Sequence, residues 1–190
     1  MLNLISYLSL LILLGSCAAI NTAPPTEIEG SWVGACGTTT RESATFTGDV
    51  AYFSSTAYGG GSCTSTKWIF VKAAKFTIGD FVVTRSGERK YNFTQSSLTL
   101  TPKSTAGVSE LNTNSTCGLT DWALDISRDI TGRTCDTIVQ PTNATTTYSI
   151  YKFNTVANPK ELQLGANGGA ANGSSEATRH SSLSSVLTKQ

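Results

Sequence analysis

Charge is scarce in this chain. Asp, Glu, Lys and Arg make up only 14% of it, against about 25% in an ordinary soluble domain. Lys plus Arg number 14 and Asp plus Glu 13, giving a net charge of +1 with no block of either sign. A nucleic-acid binder needs a basic face to neutralise phosphates, so this balance argues against such a partner. Histidine occurs once, as His180 in a Gly/Ser-rich C-terminal stretch. Ser-His-Asp and Cys-His relays require a positioned imidazole, and a base on such a stretch is poorly placed to serve. The cysteines contain no C-x-x-C pair and have no neighbouring histidine, which removes the usual zinc arrangements. The run Gly59-Gly60-Gly61 is followed by neither Lys-Ser/Thr nor a helix start, so it is no phosphate cradle. No cofactor and no metal are therefore expected, nor is enzymatic activity. Long helical periodicity is missing as well, which predicts little helix.

Thr, Ser, Asn and Gly take the place of the charges. Thr is β-branched and suits the solvent face of a strand, and a surface of hydroxyls and amides reads as extracellular. The apolar core Leu8–Leu14 lies within residues 1–16. It is far shorter than the ~20 residues of a membrane-spanning helix and fits a secretory leader instead. The four residues after it, Leu14-Gly15-Ser16-Cys17, resemble the lipobox of bacterial lipoproteins. That resemblance implies removal of residues 1–16 as a signal peptide and lipidation (diacylglyceryl, palmitate) of Cys17. The expected location is the bacterial cell envelope, lipid-anchored, at the outer membrane. Ser16-Cys17-Ala18 also fits an ordinary small-x-small cleavage site, which would give a secreted protein. The sequons at Asn92, Asn114, Asn143 and Asn172 keep that alternative open.

Of five cysteines, four are left once Cys17 is set aside: Cys36, Cys63, Cys117 and Cys135. An even remainder in an exported chain implies two disulfides. Sequential pairing, Cys36–Cys63 and Cys117–Cys135, is preferred because each pair brackets one hairpin-like segment, although other pairings are open.

Residues 17–29 read as a polar tether containing Pro24-Pro25, residues 30–165 as the folded domain, and 166–190 as a Gly/Ser/Asn-rich tail. Alternation predicts strands at 43–53 around a Gly48-Asp49 turn, at 67–78, at 81–84 after a Gly79-Asp80 turn, and at 90–100. Further strands are predicted at 119–127, 145–153 and 160–164, with 103–116 as a long polar loop and one helical turn near 182–187. Short strands joined by tight turns make an all-β fold, an antiparallel up-and-down barrel of about eight strands, with a β-sandwich as the alternative.

Gly30-Ser31-Trp32 ahead of meandering strands resembles the G-x-W opening of the lipocalin-like barrels. A G-x-W-x-x-x-C start ending at Cys36, a Gly-rich turn before Cys63 and a late Leu162-Gln163-Leu164-Gly165 resemble small bacterial lipoproteins carrying such a barrel. The resemblance implies that Trp32 packs across the closed end. It assigns no closing arginine, since Arg179 falls in the tail.

An eight-stranded barrel is either filled or holds one small ligand. A small apolar ligand inside it would meet Trp68, Phe70, Tyr91, Phe93, Trp122 or Tyr148, which alternate along candidate strands. The competing reading is a protein partner, as for an enzyme inhibitor or adhesin, held through the 103–116 loop and the Gly59–Gly61 region. Asp121 and Asp125 would share a strand face and form the one carboxylate pair open to glycosidase-like or calcium chemistry. A solvated strand face is the expected reading of that pair.

Overall fold

A computed structural model describes residues 26–190. The leader, Cys17 and the tether up to Pro25 lie outside the described residues. In chain order the elements are β1 (Gly30–Gly34), β2 (Thr40–Thr47), β3 (Val50–Tyr58), β4 (Thr66–Phe81), β5 (Glu88–Pro102), α1 (Thr105–Thr113), β6 (Arg128–Asp129), β7 (Thr134–Cys135), β8 (Ile138–Val139), β9 (Thr146–Asn154), β10 (Glu161–Ala166), β11 (Ser182–Leu183) and β12 (Leu187–Lys189).

β1 to β5 form a meander of antiparallel neighbours. β5 then pairs with β9, β9 with β10, β10 with β12, and β12 returns to β1. The result is a closed antiparallel barrel of eight strands. Closure leaves no unpaired edge in the ring and excludes the sandwich alternative. The β2–β3 connection is the predicted two-residue turn, with Gly48 at a φ of +59° between the paired Thr47 and Val50. A positive φ at that place is what a tight hairpin demands.

Register divides each strand into an inner and an outer row. The inner rows of the lower barrel bury Trp32, Phe46, Phe76, Tyr91, Phe93, Tyr151 and Leu162 together. Trp32 is 0% exposed and closes this end, donating its Nε1–H to the Ile28 carbonyl at 2.7 Å. Lys189 of β12 places its Nζ 5.4 Å from the Trp32 ring centroid. The cation over this tryptophan therefore comes from the last residues of the chain.

Five expectations are corrected. Residues 166–190 are irregular over most of their length, but 182–187 makes no helical turn and the end of the segment belongs to the barrel. β12 lies in the ring, and a three-residue strand is too short to announce itself by alternation. The domain also begins before residue 30, since Ile28 is fully buried in the core. Residues 103–116 are not a loop but contain α1, whose N-cap Ser104 accepts a hydrogen bond from the Gly107 amide at 3.1 Å. Gly107 is required there, because a Cβ would collide with the Lys67 carbonyl oxygen. Residues 119–127 are not a strand. The Asn112 side chain of α1 binds both the amide (2.8 Å) and the carbonyl (3.0 Å) of Trp122, satisfying the groups a ladder would have used. The Gly79-Asp80 pair likewise makes no turn: β4 runs on to Phe81 through a register shift, and the chain reverses only before Glu88.

Beyond the ring, the β4–β5 hairpin carries a second core. Leu98 and Leu100 of β5 meet Leu111 of α1, Cys117, Trp122 and Ile130, with Trp68 and Phe70 packed alongside. The excursion between β5 and β9 thus forms a cap beside the barrel's upper end. Cys36 is joined to Cys63 across the β1–β2 and β3–β4 connections, and Cys117 to Cys135 within the cap.

Candidate functional site

The inward row of β4 runs Trp68, Phe70, Lys72, Ala74, Phe76, Ile78, matched across β5 by Pro102, Leu100, Leu98, Gln95, Phe93 and Tyr91. Ala74 and Phe76 are buried in the packed floor. Trp68 and Phe70 are only half-buried, because the barrel wall ends above them and the cap covers one side. Two cavities adjoin there, of about 290 and 560 Å³. Both are bounded by Trp68, Phe70 and Glu110. The smaller runs under the cap against Leu100, Leu111, Ile130 and Ile138. The larger opens over the inner ends of β2 and β3, at Thr40, Ser55 and Ala57. An ion pair between Lys67 and Glu110 ties β4 to α1 at their shared wall.

Below the two mouth aromatics stands Lys72. Its Nζ lies 4.3 Å from the Phe93 ring centroid and 5.0 Å from that of Phe53. Burial lowers its pKa to about 8, because the charged amine is held away from water. The side chain faces a sheet of aromatic rings below and the cleft aromatics above.

The aromatics singled out from the sequence do not form one site. Trp68 and Phe70 line the cleft. Tyr91 and Phe93 belong to the packed floor, where burial pushes the Tyr91 phenol up to about 12. Trp122 is buried in the second core. Tyr148 lies beneath the Arg179 guanidinium, at 5.5 Å. Lys72 was missed, although a lysine in the inward register of an otherwise apolar row is a readable signal.

His180 is better placed than the sequence implied. The segment holding it extends the ladder beside β9, with Tyr148 N–H donating to Gly173 O (2.8 Å) and His180 N–H to Tyr148 O (3.1 Å). Arg179 pins the same segment through the carbonyls of Tyr91 and Ser149. The His180 Nδ1 lies 2.9 Å from Ser149 Oγ. Burial lowers the imidazole pKa, against a bond to the Asn172 backbone that raises it, and the Lys72 charge lowers it further. Ser149 is 0% exposed, its hydroxyl enclosed in the packed interior.

The carboxylate pair dissolves. Asp121 binds Arg128 at 2.7 Å, and that bond holds its carboxyl below the usual range. Asp125 binds Lys103 at 2.7 Å. Each acid is neutralised by its own cation. Among the described residues no cluster of three or more His, Cys, Asp or Glu side chains is set to hold a metal ion.

Neither the scan against protein-family models nor the search of curated proteins finds a match to this chain.

Proposed function

We propose that this protein is an exported, lipid-anchored barrel that binds a small, largely apolar molecule in the cleft between barrel mouth and cap, and that it binds rather than catalyses. One observation carries the reading. Trp68 and Phe70 continue an inward apolar row, yet they end it half-buried against open cavities while the rings below them are packed. Ligand sites are concave, mainly apolar, and edged by a few polar groups. Leu111, Ile130 and Ile138 supply the apolar wall here, with Glu110 and Thr40 at the rim. The lipobox-like Leu14–Cys17 motif supports the anchor, and the burial of Ser149 argues against a hydrolytic role.

Titration with the neutral apolar fluorophore N-phenyl-1-naphthylamine tests the site. Saturable binding is expected, weakened about tenfold or more by Trp68→Ala, in keeping with the loss of a central aromatic anchor. No saturable binding, or equal binding by the variant, sinks the reading.

A second reading, a protein-binding surface on the cap, rests on Ile138 and Val139, which are 65% and 68% exposed on the β7–β8 hairpin. A partner held there would be lost on Val139→Asp with fluorophore binding intact.

A further inference from the structure

Lys72 stands apart from the seven ion-paired cations of this protein. Lys67, Lys90 and Lys103 are each paired with a carboxylate, as are Arg85, Arg89, Arg128 and Arg179. Lys72 faces into the barrel, forms no ion pair among the described residues, and rests its ammonium on the rings of Phe53 and Phe93. Buried ammonium groups are ordinarily paired or hydrogen-bonded, because losing hydration without a partner is costly. Ring faces offset only part of that loss. The imidazole of His180 stands close enough to feel the Lys72 charge, and an imidazole supplies no negative charge to offset it. Below the two cavities the inward row thus carries a cation with no ion-pair partner among the described residues, while the cavity walls above it are largely apolar with Glu110 at the rim.

The geometry points to a ligand of one chemical class, an amphipathic anion whose head group binds the Lys72 ammonium and whose apolar body lies along Phe70 and Trp68 out to the cap. The inference rests on the cleft being the binding site. Lys72 lies four residue steps along β4 from Trp68, a reach of about 13 Å at ~3.3 Å per residue. A medium-length hydrocarbon chain spans that distance. Carboxylate and phosphate heads share the chemistry that Lys72 recognises, since each accepts a charge-assisted hydrogen bond from an ammonium.

The experiment is a set of titrations of the mature protein with dodecanoate, dodecyl phosphate and dodecanol, followed by intrinsic tryptophan fluorescence. The anions are expected to bind about tenfold or more tightly than the alcohol. In Lys72→Met that preference falls to about onefold, and in Lys72→Arg it is retained. Near-UV circular dichroism of each variant reports whether the core is kept. Stronger binding of dodecanoate assigns a fatty-acid-like ligand, and stronger binding of dodecyl phosphate a lipid phosphate. Equal binding of all three by the native protein overturns the role of Lys72 and leaves the cleft standing. Failure of all three, dodecanol included, overturns the cleft as well. An anion preference that survives Lys72→Met in a folded variant also overturns the assignment to Lys72.

Discussion

Deleting residues 182–190 is expected to abolish cooperative folding. β12 pairs with β1 on one side and β10 on the other, so its loss opens the barrel and exposes two strand edges at once. Leu187 is 4% exposed within the main core, and Lys189 covers the ring of Trp32. Burying one Leu contributes about 1.5–3 kcal/mol, and the lost pairings come in addition. Against a total stability of about 5–15 kcal/mol, that sum takes the fold to its margin. Urea denaturation followed by near-UV circular dichroism checks this. A sloping, non-cooperative trace is expected from the truncated chain. Leu187→Asp should retain a transition at a much lower midpoint, since it buries an unpaired carboxylate but keeps the strand. An unchanged midpoint in the truncated protein would show that β12 closes nothing.

Replacing Lys72 by methionine should do the opposite and stabilise the ligand-free protein. The group's pKa falls from 10.5 to about 8 on folding. The folded-state value is the lower one, so between pH 8 and 10.5 the unfolded chain binds more protons, and stability rises with pH across that window. Below it the destabilisation is complete. Converted at 1.36 kcal/mol per unit and reduced for the solvent that still reaches the side chain, it amounts to about 2–3 kcal/mol at neutral pH. Methionine keeps most of the lysine's apolar stem against Phe53 and Phe93 without the charge. The measurement is the urea midpoint of both proteins at pH 7 and at pH 10. The variant should be the more stable at pH 7, and the gap should narrow at pH 10. A less stable variant at pH 7 would mean that the ammonium is satisfied in the free protein. A lysine kept inward against its own stability cost is what a ligand-binding role accounts for.

Much of the ring was legible because its inner row differs from its outer one. The rows Trp68–Ile78 and Tyr91–Phe93 alternate cleanly, and Gly48-Asp49 carries its turn chemistry openly. The cysteine pairing followed from which segments each pair brackets. What escaped the sequence was decided by partners distant in the chain. β12 is a strand only because β1 and β10 offer it two edges. The alternation of 119–127 lost to the side chain of Asn112, which took the backbone groups of Trp122. α1 presents Gly107 and Leu111 as its buried residues, too thin a stripe to read as amphipathic. Half of the cleft was visible as Trp68 and Phe70. The cap that walls it depends on that helix and on the Cys117–Cys135 link, and its position is not a local property of sequence.

The most direct measurement is a ¹H–¹⁵N correlation spectrum recorded while dodecanoate is titrated in, read at the indole N–H of Trp68 and of Trp32. Trp68 lines the cleft, whereas Trp32 lies at the closed end with its N–H bound to the Ile28 carbonyl. The Trp68 signal is expected to shift with saturation while the Trp32 signal stays in place. A saturating ligand that leaves Trp68 unmoved would contradict a binding site at the barrel mouth.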